Sequence, residues 1–507
     1  MRFIESLCQP RGFAVLFIIT LMIKLAFAAV VPMTGDEAYF IEWGKHPDFG
    51  FYDHPPMVGW FLTALLSVSD AAWWLRLPTV LITSLIAYMI LRLLRTDHPE
   101  VAYGVAALYM LTPVNLILML MTTDTPLILW SFLSAASFYV AVKRADWRWY
   151  LLCGVLLGAA FFSKFFAGLL GIAYAFYLVF IAARDRKPFI GLGLIILGTL
   201  PFIALNLYWN YTHCWNNYLF NLINRTEGSE FSFVTIVKYV SWLLYLLTPP
   251  VLFYFIKSRQ TVVSIFKQSG LAVFMALFWI PMGLFLLLSM FKSIGLHWLL
   301  SFYPFAIIAL GLFINEKQLK TALKFMFVYA IAHLVLITYL LVQIPDIFRD
   351  NESTYKDLLY ATHTQDLLKA VKPFKEDYVL ATDSYVESAQ LSYASREHVM
   401  VFGFGSQHAR QDELIVDVRQ YEGQNIMILA YYDSVQIYAP YFDEFVLKPV
   451  QIEGATFYLG MGKGFRYRLY REKVLQEVLK KYYTAPDWLP VGQCYFYERY
   501  FPEKLTN

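Results

Sequence analysis

Two adjacent carboxylates follow the first long apolar run of the chain. Asp36 and Glu37 open the segment TGDEAYFIEWGKHPDFGFYDHPPMVGW, which carries five carboxylates and two histidines within 27 positions. Charged groups are costly close to hydrocarbon, so carboxylates at the end of an apolar run indicate a functional site. A carboxylate held there can accept the proton of a hydroxyl group that acts as a nucleophile. We interpret Glu42 and Asp48, further along the segment, as solvated loop residues.

A third candidate carboxylate and a lone lysine occur in two short connections between other apolar runs. Asp124 lies in MLMTTDTPLILW, and Lys164 is the single charge of FFSKFFAG. Asp124 is also well placed to cap the helix that begins before Pro126. Lys164 can extend to the membrane interface or bind an anion. We expect both residues on the same polar face as Asp36.

Further cations and aromatic residues occur in two other connections. Arg225 ends the segment NLYWNYTHCWNNYLFNLINR, while Lys292 and His297 lie in SMFKSIGLHWLLSFYPFAI. Aromatic faces and amide groups suit sugar recognition, and the same aromatics also suit an interfacial belt. Lys292 and a protonated His297 can hold a phosphate as point charges. The alternative for them is a lysine and a histidine that reach the membrane interface.

One chemistry uses the carboxylates, cations and aromatics together, namely transfer of a sugar from a lipid phosphate to a hydroxyl. A carboxylate takes the hydroxyl proton as the oxygen attacks the anomeric carbon, and cations neutralise the departing phosphate. This direct displacement inverts the configuration. Asp53 and His54 in FGFYDHPPM can orient the donor phosphate or the acceptor, or can hold the turn at Pro55-Pro56.

The elements that position these residues are predicted to be membrane-spanning helices. The 507 residues are 58% hydrophobic and 16% charged, with a mean hydropathy of +0.50, as in a polytopic membrane protein. The net charge of +3 is small and its basic residues are spread out, which excludes nucleic acid as a partner. About eleven apolar runs are long enough to span a bilayer. They lie near 12–32, 71–93, 100–118, 125–142, 148–162, 165–183, 188–209, 239–256, 270–290, 296–314 and 322–343.

The distribution of lysine and arginine predicts the orientation of these spans. Basic residues in alternate connections divide about sixteen to six, so the richer set, with the amino terminus, is predicted to be cytoplasmic. The amino-terminal apolar run has no small-residue cleavage site, so we interpret it as an uncleaved first span. An odd number of spans places the carboxy-terminal region outside. The segment MVGWFLTALLS is too short for a span and is predicted to lie at the interface.

The carboxy-terminal region has a different composition and is predicted to be a compact α/β domain. Short β-like runs, DYVLATD, HVMVFGFG, NIMILAYYD and FRYRLYR, alternate with amphipathic stretches such as REKVLQEVLKKYY. We therefore divide the chain into a transmembrane domain at 1–344, with an outer loop at 33–70, and an α/β domain at 345–507. Cys214 and Cys494 are both predicted to be outside, where we expect them to remain unpaired.

The motifs in their order resemble a known family. The series GDEAYFIEW, FYDHPPMVGW, TTDTPLILW, SKFFAGLL, WNYTHCWNNYLFNLINR and HWLLSFYPFAI is similar to bacterial GT-C glycosyltransferases. That group includes protein O-mannosyltransferases and the ArnT-like aminoarabinose transferase that acts on lipid A. The resemblance covers about the first 310 residues. It implies a GT-C fold and a bacterial inner-membrane enzyme whose active site faces the periplasm.

The resemblance also implies roles for individual residues. Asp36 would be the catalytic base with Glu37 beside it, and Asp124 the second acidic residue of the active-site face. Lys164 and Arg225 would contact an undecaprenyl (polyprenyl) phosphate that carries the sugar. The expected acceptor is lipid A or another lipopolysaccharide or envelope glycan, with membrane lipids as further partners. A protein hydroxyl is the alternative acceptor.

Two other hypotheses remain open at this stage. A lipid-linked sugar flippase or transporter would also have about eleven spans, but transporters place charges near the bilayer midplane, where this sequence has Lys24 alone. No cofactor is expected. The sequence lacks a D-x-D metal motif at the acidic cluster, so a divalent ion would have to use Asp36 and Glu37 with Asp53 and His54.

Overall fold

A computed structural model describes residues 2–112, 115, 119–182, 187–226, 228–257, 273–404, 409–490 and 492–504. The contacts between residues divide the chain into two compact units. We call the first the helical unit; it comprises Met1–Val30, Ser69–Asn206 and Gly228–Thr338. We call the second the sheet unit; it comprises Val31–Val68, Leu207–Glu227 and Tyr339–Asn507.

Most residues of the long apolar helices belong to the helical unit. Among the described residues, six helices are long and apolar enough to cross a membrane: Pro10–Val30, Ala72–Asp97, Asp124–Arg144, Lys187–Thr212, Phe233–Lys257 and Glu316–Gln343. Ala72–Asp97 consists of Ala72–Leu75 and Leu77–Asp97. The shorter helices are Arg2–Leu7, Pro99–Met110, Trp147–Phe161, Ala167–Phe176, Tyr177–Ile181, Val273–Ser289, Leu296–Leu299 and Tyr303–Gly311.

The six long helices coincide with predicted spans, which confirms a mostly helical membrane architecture. The predictions near 148–162, 165–183 and 270–290 correspond to apolar helices of 10–17 residues. The predicted span near 100–118 begins with the helix Pro99–Met110, and several of its later residues lie outside the described residues. The end of the predicted span near 165–183 and the start of the one near 270–290 also lie outside them. Four of the basic residues counted for orientation also lie outside the described residues: Arg184, Arg186, Arg259 and Lys267. The total of eleven spans stays a prediction.

Lys24, the charge inside a predicted span, is buried between helices. Its Nζ donates to Thr83 Oγ1 at 2.8 Å and to Ser84 Oγ at 2.9 Å, both on Leu77–Asp97. A charge in an apolar helix is tolerated when neighbouring polar groups solvate it. Lys24 therefore links two helices within the unit.

A five-stranded sheet forms the centre of the sheet unit. Its strands are β1 (Val379–Thr382), β2 (Met400–Val401), β3 (Ile426–Ala430), β4 (Phe442–Ile452) and β5 (Ala455–Phe465), in the order β2-β1-β3-β5-β4. β1 is parallel to β2 and β3, whereas β5 is antiparallel to β3 and β4. The helix Tyr385–Ser395 connects β1 to β2, as parallel strands require.

The centre of the sheet is buried on both faces. All five residues of β3 are buried; Ile426, Ile428 and Ala430 belong to one apolar cluster, and Met427 and Leu429 belong to another. A strand covered on both faces is expected to be a continuous apolar run, as the predicted strand NIMILAYYD is. The helices of the unit are Gly35–Lys45, Met57–Leu66, Asn216–Tyr218, Leu219–Asn224, Asp346–Phe348, Glu352–Thr362, Thr364–Val371, Lys372–Phe374, Tyr385–Ser395, Asp412–Ile415, Val418–Tyr421, Asp433–Tyr441, Tyr467–Tyr470, Arg471–Leu475, Gln476–Tyr482, Tyr495–Tyr500 and Pro502–Lys504.

The strand predicted at FRYRLYR is wrong. β5 ends at Phe465, and the helix Tyr467–Tyr470 follows and continues into Arg471–Leu475. Tyr470, Val474 and Val478 are buried in one apolar cluster at helical spacing, and this longer pattern outweighs the short alternation that suggested a strand. The amphipathic stretch REKVLQEVLKKYY is helical and comprises Arg471–Leu475 and Gln476–Tyr482.

The expectation that Cys214 and Cys494 remain unpaired is also wrong. They form a disulfide between residues 280 positions apart in the sequence. Two further bonds accompany it: Cys214 N donates to Gln493 O at 2.9 Å, and Trp215 Nε1 donates to Pro490 O at 2.9 Å. The segment Leu207–Glu227 is thereby fixed to the end of the chain, a partner that local sequence does not reveal.

Candidate active site

Asp36 and Glu37 lie in the first turn of the helix Gly35–Lys45, where they differ in exposure. Thr34 caps this helix: Glu37 N donates to Thr34 Oγ1, and the Glu37 carboxylate accepts from Thr34 Oγ1 at 3.1 Å and from Thr34 N at 3.4 Å. This reciprocal arrangement is a capping box. Glu37 is buried, whereas Asp36 is exposed. The positive end of the helix dipole stabilises a carboxylate at either position.

Asp53 is buried and bonded to a residue from the carboxy-terminal segment. Its Oδ2 accepts from Arg410 Nη1 at 2.9 Å, and its Oδ1 lies 3.4 Å from the Tyr39 hydroxyl. Burial raises the pKa of Asp53, while Arg410 and Arg225 act to lower it. Arg410 thus offsets much of the cost of placing this carboxylate in the interior.

The turn that carries Asp53 and His54 is held by three amide side chains. Asn217 Nδ2 donates to Phe51 O at 3.0 Å and Asn221 Nδ2 donates to Asp53 O at 2.9 Å. Tyr52 N donates to Gln411 Oε1 at 2.8 Å. The element FYDHPP is therefore fixed by the asparagine-rich segment that the sequence suggested for sugar recognition. The His54 ring is half-buried, 6.1 Å from the Trp43 ring.

Two guanidinium groups approach one aromatic ring beside Asp53. The Arg410 guanidinium lies 4.9 Å from the centre of the Phe220 ring and 4.0 Å from that of Tyr385, and the Arg225 guanidinium lies 5.4 Å from Phe220. Burial raises the pKa of Tyr385, Arg410 lowers it, and Asp53 and Asp36 raise it further. Asp36 and Asp53 thus both act through their charge on Tyr385.

In the helical unit, the structure brings Asp124 and Lys164 together. Lys164 Nζ lies 2.9 Å from Oδ1 and 3.1 Å from Oδ2 of Asp124, and both side chains are buried. The predicted capping role of Asp124 is wrong. Thr123 is the N-cap residue and Asp124 is the first residue of Asp124–Arg144, without a side-chain capping bond. Its carboxylate is directed to Lys164 because a buried lysine needs a counter-charge.

Lys292 and His297 share one turn of the helical unit. The turn lies between Val273–Ser289 and Tyr303–Gly311; Lys292 is half-buried and His297 is exposed. Trp298 packs its ring 4.2 Å from that of Phe166, and the Lys164 ammonium lies 5.5 Å from the Phe166 ring. The structure therefore brings this turn close to the Asp124 and Lys164 pair.

The interpretation of Glu42 as a solvated residue is wrong. Glu42 is buried and its carboxylate contacts Lys45 Nζ at 2.7 Å and His398 Nδ1 at 3.7 Å. His398 Nε2 also lies 2.8 Å from Asp412 Oδ1. Asp48 is partly exposed and lies 3.6 Å from His213 Nε2.

A divalent ion does not fit the residues proposed for it. The described part of the chain contains no group of three or more histidine, cysteine or acidic side chains arranged to hold a metal ion. Glu37 is engaged in the capping box, and Asp53 is bonded to Arg410. A carboxylate bonded to a guanidinium is a poor cation ligand because the two charges compete for the same oxygen atoms.

Sequence reasoning missed three residues around Asp53, namely Tyr39, Tyr385 and Arg410. Arg410 lies 357 positions after Asp53 and is flanked by no recognisable motif. Tyr39 belongs to the aromatic stretch AYFIEW, which was a usable signal because the stretch begins directly after the two carboxylates. The remaining contacts depend on the tertiary fold.

Comparisons with known proteins agree with this architecture. The family model described as dolichyl-phosphate-mannose-protein mannosyltransferase matches residues 53–209. The lipid A galacturonosyltransferase RgtD of Rhizobium johnstonii is 29% identical over 185 residues, which are 35% of this chain and 38% of that protein. The chain thus spans little more than a third of that relative.

Two crystal structures of ArnT from Cupriavidus metallidurans share the fold. The structure bound to undecaprenyl phosphate has a TM-score of 0.59 at 13% sequence identity, and the apo structure has a TM-score of 0.60 at 15% identity. Each match covers 89% of this chain and 98% of the ArnT chain. At 13–15% identity these matches show a shared fold, and the family model matches residues 53–209 within it.

Proposed function

We propose that this protein is an inverting glycosyltransferase that uses a polyprenyl-phosphate sugar as donor. The acceptor is lipid A or another envelope glycan, and the reaction takes place at the periplasmic face of the bacterial inner membrane. The observation that carries the proposal is the difference between three carboxylates of the sheet unit. Glu37 and Asp53 are only 2% and 4% exposed, whereas Asp36, which precedes Glu37 in the first turn of the same helix, is exposed.

Asp36 is the general base in this proposal. Its carboxylate accepts the proton of the acceptor hydroxyl as that oxygen forms a bond to the anomeric carbon. The bond from the anomeric carbon to the phosphate oxygen breaks, and the polyprenyl phosphate leaves with its electron pair. One displacement of this kind inverts the anomeric centre and requires no covalent intermediate.

The leaving phosphate needs positive charge, and Arg225 is our candidate in the sheet unit. Its side chain is exposed, and its guanidinium lies close to the buried Asp53 and Arg410 pair. A planar guanidinium can form two parallel bonds to phosphate. The assignments of Asp124, Lys164, Lys292 and His297 to donor binding remain predictions that rest on the family resemblance.

Two observations support an outer location for the sheet unit. The three segments that compose it are those that the charge bias predicts to be outside. They include the disulfide between Cys214 and Cys494, and disulfides persist in oxidising compartments such as the bacterial periplasm. The transmembrane domain at 1–344 and the α/β domain at 345–507 remain our proposed division of the sequence.

A protein hydroxyl is the second candidate acceptor. The observation that favours it is the description of the matching family model, which names a protein mannosyltransferase. The similarity to a lipid A galacturonosyltransferase favours a lipid acceptor. The same donor chemistry serves both, so the acceptor has to be identified by experiment.

Transfer from radiolabelled undecaprenyl-phosphate sugars to fractionated envelope acceptors tests the proposal. We expect label in a glycolipid fraction, and we expect Asp36→Asn to lower the rate by about 10²–10⁴-fold. Asp48→Asn, the same change at a partly exposed carboxylate, is the control and should keep wild-type activity. Label in periplasmic polypeptides would instead identify a protein acceptor. No turnover with any donor, or full activity of Asp36→Asn, would overturn the proposal.

A further inference from the structure

We propose that Arg410 is a positioning residue of the active site, supplied by the carboxy-terminal segment, and that it acts through Asp53 on Arg225. The inference rests on the proposed function, which it deepens. Its starting point is the 2.9 Å bond from Arg410 Nη1 to Asp53 Oδ2. Arg410 is 7% exposed and Asp53 is 4% exposed, so solvent weakens their attraction little.

The position of Arg410 is fixed from several sides. Its guanidinium lies near the rings of Tyr385 and Phe220, at 4.0 Å and 4.9 Å from their centres. The neighbouring residue Gln411 accepts a bond from Tyr52 N at its side chain and donates its own backbone N–H to the Tyr39 hydroxyl at 3.3 Å. These contacts hold the guanidinium in position independently of its bond to Asp53.

Asp53 connects this fixed cation to Arg225. The carboxylate interacts electrostatically with both guanidinium groups, and the two guanidinium groups repel each other. Both guanidinium groups lie near the Phe220 ring, at 4.9 Å for Arg410 and 5.4 Å for Arg225 from its centre, and the charge of Asp53 offsets their mutual repulsion. In this proposal Asp53 determines where the Arg225 guanidinium is held, and phosphate binding depends on that position.

Removing Arg410 changes the charge of Asp53 as well as its position. A buried carboxylate without its cation is protonated more easily, because burial disfavours the charged form. Asp53 then no longer orients Arg225. The ionisable groups around Asp53 include Tyr39, Tyr52, Arg225, Tyr385 and Arg410, with His54 next to it in the sequence.

Donor kinetics over a range of pH test this role. We expect Arg410→Met to raise the KM for the polyprenyl-phosphate donor by about tenfold or more. That KM should fall again as the pH rises and Asp53 ionises. Asp53→Asn should show a similarly raised KM without this pH dependence, because asparagine does not titrate. Arg410→Lys keeps the charge, so its donor KM should follow the same pH dependence as that of the wild type. We expect a loss smaller than in Arg410→Met, although the planar fork is absent.

The control is Arg419→Met, the same substitution in the partly exposed Arg419 and Asp417 pair. Exposed ion pairs contribute little to the stability of the fold, so the donor KM of Arg419→Met should match that of the wild type. A loss of kcat in Arg410→Met with an unchanged donor KM at every pH would overturn the inference. So would a pH-dependent KM that persists in the double variant Asp53→Asn with Arg410→Met.

Thermal unfolding of the same purified variants separates this inference from the proposed function. If the wild type transfers no sugar, the proposed function fails. The link between Arg410 and Asp53 then still predicts that the Tm of Arg410→Met depends on pH. The Tm of the double variant Asp53→Asn with Arg410→Met should lack this dependence. Identical pH dependence of Tm in both variants would refute the link itself.

Discussion

Lys164 and Asp124 form a buried ion pair in which both carboxylate oxygens lie within 3.1 Å of one ammonium group. The pair joins the first turn of Asp124–Arg144 to the turn that follows Trp147–Phe161. Either residue alone would be a charge in an apolar environment. The pair therefore has a structural function whatever its role toward the donor.

Breaking this pair should destabilise the protein strongly. We expect Lys164→Met to lower the free energy of unfolding by about 3–5 kcal/mol, because it leaves the Asp124 carboxylate buried without a counter-charge. The double variant Lys164→Met with Asp124→Leu should recover much of that loss. Denaturant unfolding of the purified variants measures both values.

The matched control is Lys143→Met, which breaks the more exposed pair of Lys143 and Asp97. Its effect should stay below about 1 kcal/mol. If the double variant is stable but transfers no sugar, the pair also serves donor or acceptor binding. Equal losses in the single and double variants would contradict the pairing argument.

Glu37 should behave as a capping residue rather than as a second base. Glutamine can also accept from the Thr34 backbone in a capping box, so Glu37→Gln should retain most of the wild-type activity and stability. Glu37→Ala should lose about 0.5–2 kcal/mol of stability, similar to Thr34→Ala. Thermal unfolding and transfer assays on matched amounts of folded protein provide the comparison. A loss of about 10²-fold or more in Glu37→Gln would assign the base to Glu37 instead.

The parts of the structure that the sequence predicts well depend on local patterns. The long apolar helices follow from hydropathy, and the buried strand at Ile426–Ala430 follows from a short apolar run between polar residues. The hairpin of β4 and β5 was not predicted. β4 has an exposed middle with charged residues, such as Glu444 and Lys448, that breaks the apolar signal.

The composition of the site was predicted only in part for a related reason. Asp36, Asp53 and Arg225 are recognisable because each is an ionisable residue next to an apolar or aromatic run. Arg410 has no such context, and its partner is in a distant loop. The sequence also did not indicate that Glu42 is buried, because His398, which contacts it, lies in a distant part of the sequence.

The disulfide between Cys214 and Cys494 should hold the Arg225 segment in place. Replacing both cysteines by serine removes a constraint on the unfolded chain and should cost about 2–5 kcal/mol. We also expect a raised donor KM, since the segment Leu207–Glu227 carries Arg225. Unfolding and kinetic measurements under non-reducing conditions test both effects.

Peptide mapping without reductant should recover the crosslinked Cys214 and Cys494 peptides. Cys8 and Cys153 should be found as thiols, and Cys8→Ser is the control variant that should leave stability unchanged. Free thiols at 214 and 494 in protein from the oxidising compartment would contradict the assignment.

His398 should make the stability of the sheet unit depend on pH in the alkaline range. Its ring lies between Asp412, at 2.8 Å, and Glu42, at 3.7 Å, and its side chain is 30% exposed. Burial lowers the pKa of His398, but hydrogen bonds to the two carboxylates raise it to about 10. An unfolded histidine titrates near 6.5, so the stabilising contribution is complete below about pH 6.5 and is lost as the pH rises toward about 10.

We therefore expect the wild type to lose about 1–3 kcal/mol of stability between pH 6.5 and pH 10 relative to His398→Gln, after allowance for partial exposure of the ring. Thermal unfolding across that range measures the difference. Asp412→Asn and Glu42→Gln should each reduce the alkaline loss, because each removes one carboxylate that favours the protonated ring. Parallel pH profiles for the wild type and His398→Gln would show that the ring is neutral in the folded protein.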